Sequence, residues 1–166
     1  VVPKVLRLVA LFTAVVVGIG ACGFKLRGAV EVPPELNPMY LEGPANSPVR
    51  GAIVQRLELS EVRIAATQDE ARVILRILGE ARSSRVAAVD RDGKVLAREL
   101  HLAVTFDLVN PDGSERIGTQ TLDLVRTYED PGVEVLGRQL EAELIYEDLV
   151  QDAAERILAR LRATLR

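Results

Sequence analysis

The sequence predicts an α+β fold: a two-layer sandwich with two helices packed on one face of a mostly antiparallel four-stranded sheet. Three observations carry this. Three stretches alternate apolar and polar residues and are separated by tight-turn signals, a short amphipathic helix precedes them, and a long one follows. At 166 residues the chain has room for one continuous core. Hydrophobic residues make up 48% and charged ones 27%, a globular balance rather than a disordered one. A formal net charge of −3 offers no basic excess and argues against nucleic acid as a partner.

The first residues have a character of their own. Lys4 and Arg7 make a short cationic start, an uncharged apolar run extends from Leu8 to Val17, and small residues follow around Gly18, Gly20 and Ala21. This is the three-part pattern of a secretory signal. A spanning helix needs about 20 apolar residues, and this run is roughly half that. Ile19-Gly20-Ala21-Cys22 resembles the bacterial lipoprotein box, in which small residues admit the protease and the cysteine thiol accepts a diacylglycerol. Acylation of the new amino terminus then brings the anchor to three chains, where one alone holds a membrane only marginally. Cys22 is the one cysteine in the sequence, so once it is lipidated the fold holds by packing without a disulfide. Buried free cysteine is the ordinary fate of a lone thiol, but its place directly after an apolar signal run argues for lipidation. Residues 1–21 are thus expected to be a lipoprotein signal, 22–38 the lipid anchor and an extended linker, and 39–166 a single domain. Gly23 after the cysteine, in place of aspartate, favours sorting to the outer membrane by resemblance to enterobacterial rules.

Pro33, Pro34, Pro38 and Pro44 keep the chain extended up to Asn46, with one short strand at Met39-Tyr40-Leu41. Ser47-Pro48 reads as a helix cap with proline at the first helical position, and Val49, Ala52, Ile53 and Leu57 supply an apolar stripe to about Leu59. Val62 to Ala65 reads equally as strand or loop. The first long strand carries Val73, Leu75, Ile77 and Ala81. The second carries Leu96, Leu100, Leu102, Val104, Phe106 and Leu108 at one parity, and the third carries Leu122 and Leu124. Asp90-Arg91-Asp92-Gly93 and Asn110-Pro111-Asp112-Gly113 between them are hairpin turns, which makes the three strands a meander. Pro131-Gly132 breaks the chain before a final helix from about Glu134 to Leu165. Its expected core stripe is Leu136, Leu140, Leu144, Val150, Ala153, Ile157, Leu161 and Leu165. Glutamates in its early half and Arg156, Arg160, Arg162 and Arg166 in its last turns suit the helix dipole on a solvated face.

Catalytic chemistry is hard to find. His101, the one histidine, falls on the polar parity with Glu99, Thr105 and Asp107. A single histidine without cysteine partners makes no credible zinc site, and neither G-x-S-x-G nor a Gly-rich phosphate loop occurs. No catalytic residue, metal ligand or cofactor is expected beyond the lipid on Cys22. Charge is more telling: residues 81–98 hold Arg82, Arg85, Arg91, Lys94 and Arg98 against Asp90 and Asp92. Such a ribbon recruits phosphates through planar arginine forks, or else protects strand edges from aggregation; the residues alone leave both open.

Cys22-Gly23-Phe24-Lys25-Leu26-Arg27-Gly28 resembles the opening of the LPS-assembly lipoproteins, the LptE family. Val32-Pro33-Pro34-Glu35-Leu36 and Met39-Tyr40-Leu41 are similar to that family's early strand. The helix from Ser47, the arginine-bearing hairpin, the break at Asp130-Pro131 and the long last helix come in the same order. The resemblance implies two helices on a four-stranded sheet, seated in the lumen of the outer-membrane LPS-assembly β-barrel as a heterodimer. It implies a protein that helps that barrel assemble and binds lipopolysaccharide, lipid-anchored in the periplasmic leaflet of the outer membrane. By position it implies a lipopolysaccharide-contacting cation at Arg91, and a second in the segment leading into the last helix, where the spacing falls on Gly137 or Arg138 and Arg138 supplies the charge. Lys94 and Arg85 join them from the charge of the hairpin. Two rival readings are an auxiliary lipoprotein of a periplasmic lipid-transport complex and a hydrolytic lipoprotein with an unrecognised site. Co-purified partners separate the first, and loss of activity on replacing His101 the second.

Overall fold

The computed structural model describes residues 33–60, 62–129 and 135–164. Cys22, the signal at 1–21, the linker up to 32 and the break at Pro131-Gly132 lie outside the described residues. Strand β1 (Met39–Glu42) is followed by helix α1 (Pro48–Glu58), then by strands β2 (Val73–Val89), β3 (Val95–Val109) and β4 (Glu115–Glu129), and by helix α2 (Val135–Thr164). The strands form one sheet in the order β1-β2-β3-β4. β1 runs parallel to β2, while β2–β3 and β3–β4 are antiparallel, so the sheet is mixed and mostly antiparallel. A parallel neighbour needs a crossover rather than a tight turn, and α1 supplies it.

Local chemistry sets the boundaries. The Ser47 hydroxyl accepts the Arg50 N–H at 2.9 Å, and Pro48 takes the first helical position, where no amide hydrogen is needed. At the β2–β3 turn the Asp90 Oδ1 accepts the N–H groups of Asp92 and Lys94 at 2.9 and 2.8 Å. Gly93 and Gly113 close the two turns with φ of +81° and +84°, where a side chain would be strained. Val62 to Ala65 is neither strand nor free loop: Ile64 makes a single parallel bridge to Met39, through Met39 N–H to Arg63 O and Ala65 N–H to Met39 O.

The core lies between one sheet face and both helices. β3 contributes Leu100, Leu102, Val104, Phe106 and Leu108 at the expected parity, β2 contributes Val73, Leu75 and Ile77, and β4 contributes Leu122 and Leu124. α1 closes one side with Val49, Ile53 and Leu57. α2 closes the other with a stripe from Tyr146 and Leu149 to Leu161.

Several expectations need correction. Leu140 and Leu144 were expected in the core and are 62% and 64% exposed. α1 has eleven residues, and the buried stripe of the much longer α2 begins only at Tyr146, so the early turns of α2 have no helix against them. Ala81 is exposed, as is every residue of β2 from there to Val89. Leu96 is exposed too: it lies on the hairpin beyond the core, as an extra residue between Ala97, which pairs with Ala88, and Val95, which pairs with Val89. Asp107, assigned to the polar face, is 1% exposed and is held by Arg76 through two bonds of 2.7 and 2.6 Å. That bidentate pairing is what makes a buried carboxylate tolerable.

Seventeen residues of β2 at roughly 3.3 Å each span about 55 Å. Burial stops at about Leu100 on β3 and Ile77 on β2, so the β2–β3 hairpin projects beyond the core.

Candidate functional site

The projecting hairpin gathers the cations singled out in the sequence, and the structure divides them. Arg91 and Lys94 stand on the turn, exposed, and no side-chain ion pair engages either among the described residues. Arg85 is different: its Nε donates to the Glu99 carboxylate on β3, directly across the ladder. That bond is the chief cause holding Glu99 below the ordinary glutamate range, with a second contribution from the His101 Nε2 at 3.3 Å. Arg98 is likewise engaged. Arg138 falls within the backbone range of α2, and its side chain lies outside the described residues. The hairpin thus offers two unpaired cations at its tip and a neutralised pair lower down.

His101 is a member of a polar row on the open sheet face. Its Nε2 faces Glu99, and its Nδ1 is 3.8 Å from the Asp123 carboxylate. Ser83 is its partner in the β2–β3 register, which places serine, histidine and aspartate on adjacent strands. Both imidazole nitrogens are directed at carboxylates, however, and no hydrogen bond joins the histidine to Ser83, so no nucleophile–base pair is assembled. The two carboxylates sit at opposite ring nitrogens and cannot converge on one ion. Among the described residues no cluster of three His, Cys, Asp or Glu is arranged to hold a metal. No helix among them is long and apolar enough to cross a membrane.

Sequence reasoning missed how the hairpin is braced. The Tyr146 hydroxyl of α2 donates to the Ser83 carbonyl of β2 at 2.7 Å. The Arg82 guanidinium lies 4.9 Å from the centre of the same ring and pairs with Glu143 at 3.3 Å. Burial raises the Tyr146 hydroxyl above the ordinary tyrosine range, so it stays a neutral donor. The only trace in the sequence was an aromatic residue at the start of the buried stripe of α2. A separate cleft beside the N-terminus of α1 contains Asn46, Ser47 and Glu80. There the Ser47 hydroxyl donates to the Glu80 carboxylate, so the helix end already has its anion.

Fold and site together define a class: a two-layer α+β protein with a cation-tipped hairpin that projects beyond its core. The chain belongs to the LptE lipopolysaccharide-assembly family, whose model matches residues 34–161. It is 30% identical over 141 residues to the LPS-assembly lipoprotein LptE of Photorhabdus laumondii, covering 84% of this chain and 76% of that protein. With the LPS-assembly lipoprotein LptE of Yersinia enterocolitica it shares 32% identity over 144 residues, 84% of this chain and 68% of the relative. Among solved structures, a lipoprotein B from Nitrosomonas europaea superposes with a TM-score of 0.71 at 25% identity, covering 85% of this chain and 91% of the other. The rare lipoprotein B from Shewanella oneidensis shares the fold, with a TM-score of 0.66 at 23% identity over 77% of this chain and 96% of the other.

Proposed function

We propose that this chain is an outer-membrane lipoprotein that sits in the lumen of the LPS-assembly β-barrel, supports the assembly of that barrel, and binds lipopolysaccharide as it passes to the outer leaflet. The observation that carries the reading is the pair of unpaired cations, Arg91 and Lys94, on a hairpin that outruns the core of an LptE-family chain. A guanidinium and an ammonium held in water on a projecting ribbon are suited to glycolipid phosphates, arginine as a planar fork and lysine as a point charge. Cys22 carries the diacylglycerol and N-acyl chains that tether the protein to the periplasmic leaflet, and the role needs no other cofactor. It is a role of contact: no step makes or breaks a covalent bond. The polar row through Glu99, His101 and Thr105 suits a water-lined barrel interior, where an apolar sheet face would not stay exposed.

The test is charge reversal at the tip. In Arg91→Glu/Lys94→Glu, lipopolysaccharide affinity is expected to fall at least tenfold at low salt, with a shallower salt dependence than the wild type, while the melting temperature holds. Equal affinity of the two proteins across the salt series would remove these residues from the site.

A further inference from the structure

We infer that the hairpin and the early turns of α2 recognise the acyl chains of a phosphorylated glycolipid as well as its phosphates, an inference that rests on the lipopolysaccharide reading of Arg91 and Lys94. Eight large apolar side chains are exposed among the described residues, and five of them lie at this one end of the molecule. Val86, Val89 and Leu96 on the hairpin are 48%, 54% and 46% exposed, within ten residues of the two unpaired cations. Leu140 and Leu144 belong to the part of α2 that the Tyr146–Ser83 and Glu143–Arg82 bonds hold beside β2. Scattered apolar side chains on a surface mean little; apolar side chains gathered where free cations are gathered match one ligand chemistry, an amphiphile with an anionic head.

The occupant is a single lipid molecule and not a membrane surface. Asp90 and Asp92 flank Arg91 at the apex of the turn. Driving that apex into a bilayer would strip water from two carboxylates and press them against anionic headgroups. An acyl chain lying along the flank of the hairpin covers the valines and Leu96 and leaves the turn in water, with its cations beside the phosphates.

The experiment uses the full mature chain carrying Cys22→Ser, so that no acyl anchor of its own enters lipid, without detergent and with three probes: intact lipopolysaccharide, lipopolysaccharide deacylated by alkali, and phosphatidylglycerol vesicles. The wild type should bind the intact glycolipid at least tenfold more tightly than the deacylated one. Val86→Ser/Val89→Ser/Leu96→Ser should lose that preference while keeping its affinity for the deacylated probe and its salt dependence. Val125→Ser, an exposed apolar position away from the hairpin tip, should behave as the wild type. If the triple variant melts early, Leu140→Ser/Leu144→Ser on the other element takes its place with the same expected loss. A wild type that does not distinguish the two glycolipids, an apolar variant that still does, or vesicles bound as tightly as intact lipopolysaccharide would each overturn the inference. In those cases, weakening by Arg91→Glu/Lys94→Glu leaves the phosphate reading standing. No change on charge reversal removes that reading as well.

Discussion

Glu99 lies between two nitrogen donors, the Arg85 guanidinium from β2 and the His101 ring from its own strand, and its carboxyl is depressed chiefly by the first. A depressed carboxylate contributes stability when ionised, so the contribution is present at neutral pH and above the ordinary glutamate value. It is lost as pH falls through the lower folded value. An NMR titration of the Glu99 side chain should therefore show a midpoint below the ordinary range, moving up toward it in Arg85→Ala. A midpoint indifferent to Arg85 would assign the shift to another cause. The same pairing removes Arg85 from the cations available to a ligand. The charge of the hairpin made Arg85 a candidate in the sequence; counting outward from the Asp90–Lys94 turn does put Glu99 opposite it, but only because the two bulges between them cancel, which the sequence does not show.

The elements were legible where local rules decide them and misread where a neighbour decides them. Ser47-Pro48 announces the start of α1 through its own side chain and ring, and the two Asx-Gly turns announce the meander in the same way. Ser47 also donates to Glu80 on β2, so Ser47→Ala loses a cap and a tie between layers. It should cost about 1 kcal/mol for the cap alone and somewhat more in total, read as a shift in denaturant midpoint. A loss well below that would show that solvent replaces both bonds. For α2, helical spacing continued through Leu140 and Leu144 although burial did not. Periodicity reports that a face is apolar and cannot report where the opposing layer ends. That unspent apolar face is what the structure turns into a candidate lipid surface.

Across the described residues, the buried core and the proposed ligand surface occupy different ends. Leu102 is fully buried in the centre of the core, and Leu102→Ala should cost about 2–5 kcal/mol by removing packed methyl groups and leaving a cavity. Leu144→Ser, in an exposed turn of α2, should stay within about 0.5 kcal/mol. Chemical denaturation of the two variants checks the contrast, and equal losses would mean that the early part of α2 packs in solution against something the fold does not provide. The fold class, the strand order of the meander and the tip of the hairpin were readable from the chain. The parallel pairing of β1 with β2 was not, since four residues carry no mark of the direction of their neighbour.

The two extra residues near the tip, Ala87 on β2 and Leu96 on β3, sit one step apart on opposite strands. Each alone would put the strands out of step, but together they cancel: Val86 faces Arg98 and Val89 faces Val95 in the same register. What does not cancel is their added right-handed twist. The pair acts as a crank in the ribbon, rotating Arg91 and Lys94 about its axis relative to the body without altering the length of either arm. Removing Ala87 and Leu96 together would keep the register and take out their added twist, changing the direction in which the tip presents its charge with the core pairs left in place.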